Sequence, residues 1–155
     1  MTNHPADLET DPRFPSGRWT GFFLQAQGPH PGKHQMELLL TFRQGSMTGE
    51  GRDWVGKFVI RGRYSTADGR CRWHKRYLGK HDVFYQGYNE GKGIWGAWEI
   101  QSILALGTRL RGGFHIWPEG MADPTQQHLT EAVEPPIHVE EFEESQTPEL
   151  VPVGE

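Results

Sequence analysis

The stretch Cys71–Ile100, CRWHKRYLGKHDVFYQGYNEGKGIWGAWEI, decides the fold. Leu78-Gly79-Lys80 and Glu90-Gly91 divide it, each bringing the glycine that a tight reversal favours. Between these breaks apolar and polar residues alternate with period two and do not recur at three and four, so the stretch reads as three strands and not as a helix. The first strand has two possible phases. With Trp73, Lys75 and Tyr77 inward one charge is buried; with Arg72, His74 and Arg76 inward two or three are. Unpaired buried charges are costly, so the first phase is expected. It sets Trp73, Lys75 and Tyr77 beside Val83, Tyr85 and Gly87, and the second turn brings Tyr85 near Gly96 and Val83 near Trp98. Lys75 is then an interior cation among Tyr77, Tyr85 and Tyr64.

The same alternation extends outward from this stretch. Gly17–Ala26 and His34–Gln44 read as the first two strands, the second with Met36, Leu38, Leu40 and Phe42 on one face. A short strand from Met47 to Arg52 follows the Gln44-Gly45-Ser46 turn. Val55–Ser65 puts Phe58, Ile60, Gly62 and Tyr64 on one face, and Ala67-Asp68-Gly69 turns the chain into the opening stretch. Thr108–Trp117 is the eighth strand, with Leu110, Gly112, Phe114 and Ile116 on one face. Eight half-apolar strands in sequence with short connections predict an all-β, eight-stranded antiparallel up-and-down barrel, since closure removes both edges. Glycines 21, 49, 62, 87, 96 and 112 fall on the inward face, as a narrow, strongly coiled barrel requires.

The domain organisation is expected to be a flexible leader over 1–15, a barrel over 16–117, and a mostly disordered acidic, Pro-rich tail over 118–155. The formal net charge of −4 conceals an asymmetry. Residues 16–117 hold fifteen Lys and Arg against seven Asp and Glu, or +8, while 119–155 hold ten acids and no Lys or Arg. Such a basic body suits either a polyanion-binding face or a surface screened by the tail. The one cysteine, Cys71, allows no intrachain disulfide, which fits a reducing compartment. The polar N-terminus does not read as a signal peptide, and no apolar run approaches a membrane span, so the expectation is a soluble, cytoplasmic protein.

Gly17-Arg18-Trp19, opening the first strand of an eight-stranded meander, resembles the calycin superfamily, and the size and short turns resemble its avidin-type barrels more than its lipocalins. The resemblance covers roughly residues 16–117. It implies a barrel that holds a small ligand at one open end. Calycins also place a basic residue of the last strand across that Trp; here the strand ends in His115-Ile116-Trp117, with Arg109 and Arg111 at its start.

Two functional readings follow. In the first, Trp19, Tyr64, Trp73, Lys75, Tyr77, Tyr85 and Trp98 line the interior and bind a small anionic or carbonyl-bearing ligand, an ammonium and phenols supplying the polar contacts. The bland counterpart is a Lys75 that snorkels or pairs with a carboxylate such as Asp53. In the second, the core is solid and the outer face, with Arg61, Arg63, Arg72, His74 and Arg76, together with the acidic tail, meets a protein or polyanion. RNA is disfavoured as partner because no RNP, KH or zinc-knuckle signature is present. The histidine pairs 30/34 and 74/81 have no accompanying acidic ligand at helical spacing, so no metal is expected. No cofactor motif occurs: Gly49-Glu50-Gly51 is followed by no helical pattern. Without a nucleophile elbow or a Cys–His context the reading leans away from catalysis. The sequence leaves the oligomeric state open.

Overall fold

The structure, a computed structural model, describes residues 7–26, 30–101 and 109–126. Its strands are β1 (Gly17–Gln25), β2 (Gly32–Arg43), β3 (Ser46–Asp53), β4 (Gly56–Tyr64), β5 (Arg70–Tyr77), β6 (Asp82–Asn89), β7 (Ile94–Gln101) and β8 (Arg109–Pro118). Each pairs antiparallel with the next, and β8 pairs with β1, so the sheet closes on itself as the alternation predicts. Among the described residues no helix is long and apolar enough to cross a membrane.

Turn chemistry sets the β2–β3 register. Gln44 (φ 48°) and Gly45 (φ 84°) are both left-handed, the two-residue turn whose twist matches paired strands. Parity then puts Met47, Gly49, Gly51 and Asp53 inside. Closure also depends on bare backbone at Gly62: a Cβ there would lie 2.1 Å from the Arg72 carbonyl oxygen and 2.4 Å from Trp73 Cβ. The inward phase of β5 is Cys71, Trp73, Lys75 and Tyr77, with Arg72, His74 and Arg76 exposed. One part of the expected register shifts by two residues. Tyr85 lies opposite Trp98, and Gly87 opposite Gly96, because the β6–β7 connection is longer than a turn centred on Glu90-Gly91: it runs from Asn89 to Ile94 with left-handed glycines at both 91 and 93.

At one end of the barrel lie the starts of β1, β3, β5 and β7. Residues 7–16 cross this end without strand structure, as their prolines dictate, yet they are firmly attached there. Phe14 is fully buried, 4.8 Å from the Tyr64 ring and 5.4 Å from Phe42. The Glu9 amide donates to the Phe42 carbonyl, and Tyr64 donates a 2.5 Å hydrogen bond to the Glu9 carboxylate. Arg13 pairs with Asp11 and donates to the Thr66 and Asn89 carbonyls, and Asn89 donates back to the Arg13 carbonyl. From residue 7 onward, the leader assigned on composition to flexible chain is a stopper.

The chain from Gly120 onward belongs to a second unit. Its described part is short: Asp123 caps a single helical turn by accepting from the Thr125 amide at 2.8 Å. Most of the acidic tail, 127–155, lies outside the described residues, as does its apolar trio Ile137, Val139 and Phe142.

Candidate functional site

The interior is a column of rings. At the leader end Trp19 packs 5.6 Å from Phe42, and its indole N–H donates to the Pro15 carbonyl. In the middle Trp73 stacks on Tyr85 at 5.2 Å and 9°, with Phe114 edge-on to both. Toward the far end Trp98 meets Phe23 edge-on and donates to the Leu24 carbonyl. The seven residues expected to line a ligand site are therefore all buried, but they do not form one site. Trp19 and Tyr64 belong to the stopper end; Lys75, Tyr77 and Tyr85 come together toward the other. The expected neighbourhood of Lys75 with Tyr64 is thus replaced: Tyr64 ends β4 at the leader, whereas Lys75 lies opposite Ile60 and Val83.

Lys75 is 1% exposed. Its ammonium donates a 2.8 Å hydrogen bond to Asp53 Oδ2, and the same oxygen accepts a 2.6 Å bond from the Tyr77 hydroxyl. Asp53 Oδ1 accepts from the Val55 amide at 2.9 Å, which fixes the carboxylate from its own turn. The rings of Phe23, Phe58, Tyr77 and Tyr85 surround the ammonium at 4.7–5.0 Å from their centroids, within cation–π range. Met36 Sδ closes the shell at 3.9 Å. Burial pushes the Lys75 pKa down to about 8, against the upward pull of Asp53, so desolvation outweighs the ion pair. Burial, with the Asp53 hydrogen bond behind it, pushes the Tyr77 hydroxyl up and keeps it a donor. The Lys75–Asp53 pair is locally neutral and enclosed by rings, which makes Lys75 a poor anion receptor as it stands.

The outer face is arranged differently. Cross-strand pairing aligns Thr41–Thr48–Arg61–His74–Phe84 in one row and Arg43–Ser46–Arg63–Arg72–Gln86 in the next. Neighbouring strands lie about 4.8 Å apart and alternate residues about 6.6 Å apart. Arg61, Arg63, Arg72 and His74 thus fill one small exposed field with no acid in either row among them. Among the described residues Arg61, Arg63 and Arg72 have no ion-pair partner. Arg76 lies on the same exposed face, one row further along β5 beside Val59, but its charge is paired with Asp82 at 3.0 Å. His74 rests its ring on Phe84 at 5.2 Å. Since Lys75 and Asp53 cancel inside, the +8 of residues 16–117 is borne outside the core.

Among the described residues no cluster of His, Cys, Asp and Glu has the arrangement of a metal site. Sequence reasoning missed Phe23 and Phe58 as the walls around Lys75, although inward parity of β1 and β4 marks both. It named Asp53 only as one carboxylate among others; its inward parity on β3 was the available signal. Comparison of the chain with family models, curated proteins and solved structures finds no match.

Proposed function

We propose that this protein is a non-enzymatic binding module that takes an anionic partner on the outer face of β4 and β5, above a solid interior. The observation that carries the reading is the register that places exposed Arg61, Arg63 and Arg72 side by side with no ion-pair partner among the described residues. Natural surfaces usually intersperse charges of both signs, and a single-sign field steers and holds an oppositely charged partner. Contacting rings along the barrel axis support the solid core. The test is binding to heparin, with RNA as a second arm, by the full chain and by its Arg61→Ala/Arg63→Ala/Arg72→Ala variant. Saturable binding that weakens with salt and falls about tenfold or more in the variant is the expected result; equal binding by both proteins rejects the reading.

One observation favours a second reading, a small anionic or carbonyl-bearing ligand held inside. A buried Lys–Asp–Tyr cluster costs more to desolvate than hydrophobic residues of like volume, and such clusters recur at functional sites. Trp73, Lys75, Tyr77, Tyr85 and Trp98 would carry it. Kinship with the calycins, and with avidin-type barrels among them, belongs to this reading; the closed meander and Trp19 at the start of β1 support it. Native mass spectrometry of freshly purified protein decides: a retained small molecule supports interior binding, and a bare mass rejects it.

A further inference from the structure

The Gln44–Gly45 turn flanks a notch of about 280 Å³ on the outside of the barrel, lined by Thr41, Arg43, Gln44, Ser46 and Thr48. Its lining contains one cation, three hydroxyls, one amide and no acid. Arg43 is half-buried, and its Nε and Nη2 atoms are shielded from water without a hydrogen-bond partner. Among the buried side-chain nitrogens and oxygens of the described residues these two stand alone in that respect. Buried guanidinium N–H groups are almost always satisfied, and orphaned ones call for a partner: an ordered water, an ion or a ligand. Nε and Nη2 form one edge of the guanidinium, the fork that grips two oxygens of a single anion. Arg63 shares the row with Arg43 and Ser46, and its Nη2 would be 3.5 Å from a Cβ placed on Gly45, so a second guanidinium borders the turn.

We propose that this notch binds a tetrahedral oxyanion, a phosphate or sulfate group. Binding requires the Arg43 side chain to rotate its Nε–Nη2 edge, shielded from water in the free protein, into the notch, where it takes two oxygens. Hydroxyl donors from Ser46, Thr48 and Thr41 reach the remaining ones, more donors than a planar carboxylate can use. The volume exceeds a bare phosphate and leaves room for the group that an ester carries. The site goes beyond the basic field of β4 and β5 and rests on its own observation, the orphaned edge of Arg43.

The experiment follows arginine Nε–H resonances of the full chain during titration with inorganic phosphate, sulfate and acetate at constant ionic strength. The expected result is a saturable shift at Arg43 with phosphate and sulfate. Arg43→Gln should weaken binding about tenfold or more, and Arg43→Lys should not restore it, because a point ammonium lacks the two-toothed edge. Ser46→Ala/Thr48→Val should weaken it several-fold, and this variant carries the test if Arg43→Gln fails to fold. Arg61→Ala/Arg72→Ala should change it by less than about twofold, so the loss of heparin binding and the loss of this site are separately visible. A shift that does not saturate, that spreads evenly over the exposed arginines, or that acetate produces equally overturns the proposal.

Discussion

Asp53→Asn removes the counterion of Lys75 while keeping size and one acceptor oxygen. The ammonium is then left at 1% exposure inside a shell of rings, and removing one partner of a buried pair typically costs about 3–5 kcal/mol. For a barrel of this length each kcal/mol lowers Tm by roughly 4 °C, so a fall of about 12–20 °C is expected. Lys75→Met keeps the aliphatic volume and leaves Asp53 with the Tyr77 hydroxyl and the Val55 amide, so its cost is smaller, about 2 kcal/mol for the lost charged hydrogen bond. The depressed pKa of Lys75 points the same way, since burial already disfavours its charged form. The double variant Asp53→Asn/Lys75→Met carries no unpaired charge, and its stability should return to within about 1–2 kcal/mol of the parent. Chemical denaturation of all four proteins closes the cycle, with an expected coupling above about 2 kcal/mol. A double variant as unstable as the sum of the two singles would refute the view that the pair stands or falls as a neutral unit.

Three further outcomes follow from the same contacts. Between pH 8 and about 10.5 the unfolded chain holds a proton on Lys75 that the folded chain has released, so the Lys75 contribution to stability rises with pH through that window. Relative to Lys75→Met the parent should therefore gain about 2 kcal/mol from pH 7.5 to 9.5; the opposing ionisation of Cys71, whose thiol burial pushes up to about 12, is common to both proteins and cancels. A flat or falling difference in paired denaturation curves contradicts this. Phe14→Ala should cost about 3–5 kcal/mol because a fully buried ring is removed from the stopper, and an unchanged Tm would show that residues 7–16 add nothing to the barrel. Gly62→Ala should cost more than about 2 kcal/mol, since its methyl meets the Arg72 carbonyl oxygen, whereas Gly113→Ala, with nothing nearer than 3.6 Å, should stay within about 1 kcal/mol in the same assay.

What the sequence made legible is what period-two alternation and the cost of buried charge control. The phase of β5 follows from that cost alone, because only Trp73–Lys75–Tyr77 inward buries a single cation. Closure follows from short connections and from inward glycines such as Gly62. Alternation carries no information about loop length, which is why two left-handed glycines, 91 and 93, could shift Tyr85 from Gly96 to Trp98 unannounced. It also fixes a face and not a height along the axis, so Tyr64 and Lys75, both inward, were joined in one site although they lie toward opposite ends. Phe14 was hidden for another reason: a lone aromatic among prolines has no period, and its burial depends on the open end of a barrel formed by distant residues. Arg43 was unreadable likewise, since an orphaned guanidinium is a property of its surroundings.

The outer face carries the functional account, and amide and arginine side-chain shifts of the full chain during a heparin titration test it most directly. Perturbations should concentrate on Arg61, Arg63, Arg72, His74 and their row neighbours on β3 to β5, and should weaken as salt rises. Shifts centred instead on Lys75, Tyr77 and Trp98, or no saturable shift at low salt, would contradict it.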